Sequence, residues 1–359
     1  RYSLIHFAPR RFLDASYERV SRRALDIFSL AGISEERRKQ GHAKYSLLFD
    51  KKTIFRWVRG YSLTRGEQIW VPLQLATFYN WPKDREPYLR LPISTGSAAG
   101  GILEQALYRG VLEVIERDAF MITWLKRLSP PRLDLKSFES PRIKKISEYF
   151  ERYRLELNIF ALPTDAPCHV ILATVIDGRA GFAHLTVGLR ASLNLEEAII
   201  VAVQEALGAR FFTRDHLSPM AREMPEITDV DKIDRLQRVA LWASRAELKE
   251  LISFLWAGEV KSASEVKIFF EPPTDAERLN FLINHFKLEG IEVAYVKNIP
   301  FAIAGKVPFE CAYVIIPEFQ PMHLQESLPY FSGKRLETVP QKLNFRTDTS
   351  INTIPHPFP

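Results

Sequence analysis

The chain has 359 residues, 46% of them hydrophobic, which is enough for a sizeable core in one large domain or two ordinary ones. No run of about 18 apolar residues and no charged-then-apolar leader occurs, so neither a membrane span nor a signal peptide is expected and a cytoplasmic protein is inferred. The formal charge of +6 raises nucleic acid as a partner, but the basic residues are scattered apart from Arg37, Arg38 and Lys39 and the pair Lys51 and Lys52, so none is expected; Cys168 and Cys311 without a C-x-x-C exclude a thiolate zinc site.

The chain opens on Arg1, Tyr2 and Ser3 without a methionine, which leads us to expect a missing upstream segment. Residues 15–31 place Val20, Ala24, Leu25 and Phe28 at helical spacing before Gly32 and predict a helix. "TIFRWVRGYSL" and "QIWVPLQLATFY" alternate apolar and polar residues around a glycine-centred turn and predict a strand pair. A long helix is expected over 103–127, strands at "LELNIFAL" and "HVILATVID", and a second long helix over 194–212. Beyond these come a strand at "VKIFF", a helix over 275–288, and strands at "IEVAYVK" and "CAYVIIP"; the last fifteen residues read as an extended tail. The predicted class is α+β, that is mixed α/β.

Residues 96–120 and 188–212 match at eight positions with a constant offset of 92, among them Gly96/Gly188, Glu104/Glu196 and Glu113/Glu205. Each copy predicts a strand, a turn of small residues and a long helix carrying acids at one level.

In the first of these helices Gln105, Glu113, Glu116 and Arg117 share one sector at about 100° per residue, whereas Leu107, Val111, Ile115 and Ile122 lie elsewhere. A solvated face with Glu113 and Arg117 as an i,i+4 pair would explain this. The apolar flanks point instead to burial, and buried charges must be paired or bind something. Carboxylates on two helices beside an arginine suit a Mg²⁺-nucleotide, since acids supply oxygen ligands and arginine neutralises phosphate. No G-x-x-x-x-G-K-[ST], G-x-G-x-x-G, H-E-x-x-H or G-x-S-x-G is present, and His42, His184 and His285 read as ordinary structural groups.

"STGSAAGGILEQALYRGVLEVIERDAFMITW" resembles the glycine/alanine-rich turn and E-x-x-E-R-D-A helix of the YcaO family, ATP-dependent enzymes that modify peptide backbone amides. "IFRWVRGYSL", "IWVPLQL" and "GLRASLNLEEAIIVAVQEALGAR" are similar to its flanking segments, so the resemblance covers most of the chain. It implies a YcaO-like fold with repeated strand–turn–long-helix units. The implied arrangement is a catalytic domain over residues 1–345, lacking its N-terminal part, and a proline-rich tail over 346–359. The family's earlier S-x-x-x-E-x-x-E-R-Y-S motif would be cut at "RYS", leaving Arg1 as a stranded nucleotide-site residue.

The resemblance further implies that Glu113 and Glu116 bind Mg²⁺ and that Gln105, Arg117, Glu205 and Arg210 serve the ATP site. Gln105 stands where the family often has glutamate, and Gly208 where it has glutamine. Arg210 also lies about 140° from Glu205 on a regular helix, so both reach one site only if the helix ends or bends. Pro355, Pro357 and Pro359 match the P-x-P-x-P ending of the azoline-forming branch and are assigned to the catalytic side; a disordered stub is the alternative.

The implied activity is a peptide cyclodehydratase that makes thiazoline or oxazoline rings from Cys, Ser or Thr at the expense of ATP. A ribosomally made precursor peptide and a leader-recognising protein are the implied partners, with a homodimer allowed. Thioamide formation on the same scaffold, and a peptide-binding assembly protein with a dead nucleotide site, remain alternatives.

Overall fold

The computed structural model describes residues 12–77, 86–179, 182–298, 309–347 and 350–358. In chain order these carry β1 (Phe12–Ser16), α1 (Tyr17–Val20), α2 (Glu35–Gln40), β2 (Ile54–Ser62), β3 (Glu67–Pro72), β4 (Ser97–Gly100) and α3 (Leu103–Leu125). There follow β5 (Arg132–Leu133), α4 (Pro141–Tyr153), β6 (Glu156–Ala161), β7 (His169–Ile176), β8 (Leu185–Ser192), α5 (Leu195–Phe212) and α6 (Arg235–Ser244). The last elements are β9 (Val260–Lys261), α7 (Asp275–Leu288), β10 (Ala294–Asn298), β11 (Glu310–Ile315) and α8 (Arg335–Lys342). The α+β class is as expected. Among the described residues no helix is long and apolar enough to cross a membrane.

The chain divides into two compact units. Unit 1 comprises Arg1–Asp118, Pro272–His323 and Tyr330–Arg335; unit 2 comprises Ala119–Glu271, Leu324–Pro329 and Leu336–Pro359.

Unit 1 is built on an antiparallel sheet in the order β1-β2-β10-β11-β4, with β3 paired to β2. The expected strand pair is β2 and β3, in register from Trp57↔Pro72 to Ser62↔Glu67. Its inward side chains Phe55, Trp57, Ile69 and Val71 form the core with Ala294, Val296, Tyr313 and Ile315. The helix expected over 15–31 is not there. Ser16 pairs with Ile54, α1 lasts a single turn, and Leu25 N–H donates to Trp70 O at 2.8 Å. Val20, Ala24 and Leu25 do face inward, but they fill the sheet's core. Pairing with a strand far along the chain outweighs their helix-like spacing.

Unit 2 carries the second sheet in the order β8-β7-β6-β5-β9, antiparallel except for the β5·β9 pair. β7 and β8 are almost wholly buried, and α5 packs Ala198, Ile199, Ala202, Val203 and Ala206 into a core with Ile159, Ile171, Ala173 and Val175. The strand expected at "VKIFF" does not form: residues 267–270 pair with nothing in the ladder, and Ile268 and Phe270 are largely exposed. An apolar run becomes a strand only where a sheet edge offers hydrogen bonds.

Candidate functional site

Glycines set how closely α3 lies on its strand. Gly96, at φ +88°, is so placed that a Cβ would stand 2.1 Å from Val314 O, and a Cβ on Gly110 of α3 would stand 2.9 Å from Gly96 O. No side chain fits at either interface, so the helix backbone comes down onto the turn before β4. That approach brings Glu113 within reach of the turn, where its Oε2 accepts from Gly96 N–H at 3.2 Å.

One turn on, Arg117 Nη2 lies 3.9 Å from Glu113 Oε1 and 3.5 Å from Glu116 Oε1, while its Nη1 approaches Met322 Sδ at 3.9 Å. Side-chain exposure is 27% for Glu113, 8% for Glu116 and 14% for Arg117, so the stripe is mostly buried and is not a solvated face. Two carboxylates thus converge within 4 Å of one guanidinium nitrogen. Such a donor set fits a hard divalent cation, and Arg117 beside it fits a phosphate.

The next residue belongs to a different device. Asp118 is fully buried and receives Arg335 in a two-pronged pair, Nε to Oδ1 at 3.0 Å and Nη2 to Oδ2 at 2.7 Å; Gln320 N–H donates to Oδ1 at 2.7 Å. Arg335 in turn lies 3.9 Å over the Phe319 ring. Asp118 therefore ties α3 to the chain around 320 and to the start of α8 within unit 1. Nothing in the local spacing announces Arg335, which lies more than two hundred residues away.

Gln105 is engaged at both ends of its amide. Its Nε2 donates to Asp275 Oδ2 at 2.9 Å and its Oε1 accepts from Gly101 N–H at 2.8 Å. The turn "TGSAAGG" is thus tied to the start of α7 through this side chain.

In unit 2 the equivalent strand and helix are β8 and α5. A Cβ on Gly188 would stand 2.2 Å from Ala202 O, and Glu205 Oε2 accepts from Leu189 N–H at 2.6 Å. Arg210 pairs instead with Asp177, Nη2 to Oδ2 at 2.6 Å. Asp177 sits at the turn from β7 to β8, and α5 stays regular through Phe212, so Glu205 is bonded to the middle of β8 and Arg210 to the hairpin end before it. No signal in the sequence marks Asp177, because the family resemblance assigns its partner to the nucleotide.

The tail is a built part of unit 2. Asn352 N–H donates to Leu125 O at 2.8 Å and its Nδ2 to Trp124 O at 3.1 Å, which satisfies carbonyls that the end of α3 leaves open. Trp124 Nε1 donates to Ile354 O at 2.8 Å, Trp242 Nε1 to Pro355 O at 2.9 Å, and Arg238 Nη2 to Phe358 O at 3.2 Å. Pro355, Pro357 and Phe358 are buried, and Phe120 packs on both His356 and Phe358. A disordered stub is excluded for residues 352–358. Arg1 and Pro359 lie outside the described residues.

Comparison with known proteins agrees with this architecture. Residues 1–320 match the family described as "YcaO cyclodehydratase, ATP- and Mg²⁺-binding". An uncharacterized protein of Methanothermobacter thermautotrophicus is 29% identical over 164 residues, 45% of this chain and 42% of that protein. Among solved structures, a heterocyclase in complex with substrate and cofactor aligns with TM-score 0.76 at 20% identity, over 97% of this chain and 45% of that one. YcaO from Methanopyrus kandleri bound with AMPPCP and Mg²⁺ aligns with TM-score 0.59 at 19% identity, over 78% and 68%. The E. coli microcin synthetase McbBCD complex with pro-MccB17 bound aligns with TM-score 0.59 at 20% identity, over 85% and 73%. At these identities the structural likeness speaks to the fold, and the chain spans less than half the length of the curated relative and of the heterocyclase. The family match over residues 1–320 decides the classification: the chain belongs to the YcaO family.

Proposed function

We propose that the protein acts as a Mg²⁺- and ATP-dependent peptide cyclodehydratase, forming thiazoline or oxazoline rings from Cys, Ser or Thr of a ribosomally made precursor peptide presented by a leader-recognising partner. The observation that carries this reading is the mostly buried trio on α3, in which Glu113 and Glu116 both lie within 4 Å of one nitrogen of Arg117. In a family described as ATP- and Mg²⁺-binding, that trio supplies oxygen ligands for the cation and a guanidinium for phosphate.

Attack of a side-chain thiol or hydroxyl on the preceding amide carbonyl gives an adduct that must expel oxygen, a poor leaving group as hydroxide. ATP supplies the means of making that oxygen a phosphate ester. The chain's own contribution is positional and electrostatic: Glu113, fixed by the Gly96 amide, and Glu116 hold the metal, and Arg117 offsets phosphate charge. The family resemblance also assigns Gln105 in unit 1, and Glu205 and Arg210 in unit 2, to nucleotide binding. For them the proposal requires that Asp275, Leu189 N–H and Asp177 share or release the side chains they now hold. Pro355, Pro357 and Pro359 are proposed to order the peptide-reacting side; the docking of residues 352–358 supports this by reducing the ordering cost of the chain's end.

The test is ADP release on adding precursor peptide and its recognition partner, read beside the product mass. Loss of one water per ring with ADP release is the expected result. A product in which sulfur replaces oxygen, or no nucleotide turnover, would overturn the reading.

A further inference from the structure

Unit 1 holds a buried cation that the trio on α3 does not use. Arg90 is only 7% exposed, yet among the described residues no carboxylate lies within ion-pair distance of it and no acceptor takes a hydrogen bond from it. The other deeply buried arginines are answered: Arg238 by Glu326 at 2.7 Å and Arg335 by Asp118 at 2.7 Å. Even the half-buried Arg38 donates to the carbonyls of Leu47, Tyr88 and Leu89. A guanidinium has five donors and stays protonated in proteins, so it cannot escape burial by becoming neutral.

The backbone on either side of Arg90 is pinned. Leu89 N–H donates to Gln74 Oε1 at 2.7 Å, and Arg38 holds Leu89 O at 2.6 Å. Leu91 N–H donates to Tyr330 Oη at 2.7 Å. The segment is thus fixed by its neighbours while the arginine it presents is left with its donors unanswered. A free side chain on a rigid mount is how an anion site is built.

Tyr313 relates this position to α3. It lies on β11 opposite Ser97, next to Val314, whose N–H donates to Gly96 O, and Gly96 N–H in turn donates to Glu113. Burial pushes the Tyr313 hydroxyl well up; Arg90 draws it back and Glu113 raises it further, so both charges act on the same phenol. Tyr330, whose hydroxyl holds Leu91, accepts at its carbonyl from Gln320 Nε2 at 2.6 Å, and Gln320 N–H donates to Asp118, the residue after Arg117.

We propose that Arg90 is an anion-binding residue that receives phosphoryl oxygens beside the Glu113, Glu116 and Arg117 trio. The inference rests on the nucleotide reading of that trio, and the same chemistry could come from the terminal phosphoryl group of the nucleotide or from free inorganic phosphate.

Arg90→Met keeps much of the volume and removes the charge. An arginine that waits for a ligand costs stability in its absence, so the Met variant should melt at the same temperature as the wild type or higher. Binding of Mg²⁺-AMPPCP should weaken by about tenfold or more, because a two-pronged charged contact is lost. If ADP binding is unchanged while the analogue is weakened, the terminal phosphoryl group is the occupant. If the analogue is unchanged but stabilisation by inorganic phosphate disappears, free phosphate is. A variant that melts lower and binds both ligands like the wild type overturns the proposal.

Should Arg90→Met fail to fold, Arg90→Lys decides: weakened binding of either probe with an unshifted melting temperature supports the proposal, and unchanged binding of both overturns it. Glu116→Gln separates the two readings. If it abolishes analogue binding while Arg90→Met affects neither probe, the inference fails and the nucleotide reading stands. Phosphate binding that depends on Arg90 without any nucleotide binding would uphold the anion site and remove the nucleotide reading. Binding of neither probe by the wild type would sink both.

Discussion

The β4–α3 pair of unit 1 and the β8–α5 pair of unit 2 follow one plan. In each a glycine before or within the strand lets the helix backbone approach to contact distance, Gly96 against Gly110 and Gly188 against Ala202. In each a glutamate at the same register accepts a strand amide, Glu113 from Gly96 and Glu205 from Leu189. The helices then differ over three consecutive positions. Unit 1 carries Glu116, Arg117 and Asp118 where unit 2 carries Gly208, Ala209 and Arg210. The shared glutamate is thus a staple that fastens helix to strand in either setting. The adjacent acid and base Glu116 and Arg117 occur on one copy only. At the third position the two copies solve the same problem with opposite polarity: the helix acid Asp118 meets Arg335, and the helix base Arg210 meets Asp177.

The sharpest way to break this comparison is at that third position. Asp118→Ala strands Arg335 in a buried site and should cost about 3–5 kcal/mol, whereas Arg210→Ala opens a more accessible pair and should cost about 1–2 kcal/mol. Equal losses in denaturant titration would mean that the deeper burial of the Asp118–Arg335 pair does not set the cost of breaking it.

Next in size is the first position. Glu116→Gln keeps the helix and removes one anionic ligand, so ATP turnover should fall by roughly a hundredfold with little change in melting temperature. Gly208→Ala at the matching place on α5 meets open space and should raise stability by up to about 1 kcal/mol with turnover intact. A silent Glu116→Gln would reduce the trio to a structural feature.

The second position predicts a selective effect. Arg117→Ala should raise the apparent KM for ATP by about tenfold through loss of a phosphate partner, while Arg22→Ala, exposed in the turn after α1, should change nothing measurable. Similar KM values for both variants would disconnect Arg117 from the nucleotide.

The smallest expected effect concerns pH, and it concerns unit 2. Burial at the start of β7, against Phe269, pulls His169 down to about 4. The folded state then binds fewer protons than the unfolded chain between about pH 6.5 and pH 4, so stability rises with pH across that window and falls as the solution is acidified. Hydrogen exchange near β7 should lose protection before that of the unit 1 sheet, and His169→Phe should remove the difference. Equal loss of protection in both sheets would show that His169 is not its source.

Much of this was legible in the chain itself. The period of apolar residues gave α3, α5 and α7, the alternation around a glycine gave β2 and β3, and the offset of 92 gave the doubled strand–turn–helix plan. The stripe of Glu113, Glu116 and Arg117 was readable because three residues within five positions on a helix must share a face. The helix expected over 15–31 and the strand expected at "VKIFF" failed for a common reason. A hydrophobic pattern reports which residues seek a core, and long-range pairing decides what backbone they adopt on the way there.

What the sequence by itself determined were properties fixed by neighbours a few residues apart: the long helices, the repeat, the charged stripe and family membership. Only the tertiary structure decided which partners distant residues meet. Asp118 pairs with Arg335, Arg210 with Asp177 and Gln105 with Asp275, the tail closes over Trp124 and Trp242, and Arg90 is buried with none of the described residues to answer it. Each is an electrostatic or hydrogen-bonding choice between groups far apart in the chain. Its strength depends on burial and distance, and those two quantities exist only once the chain has folded.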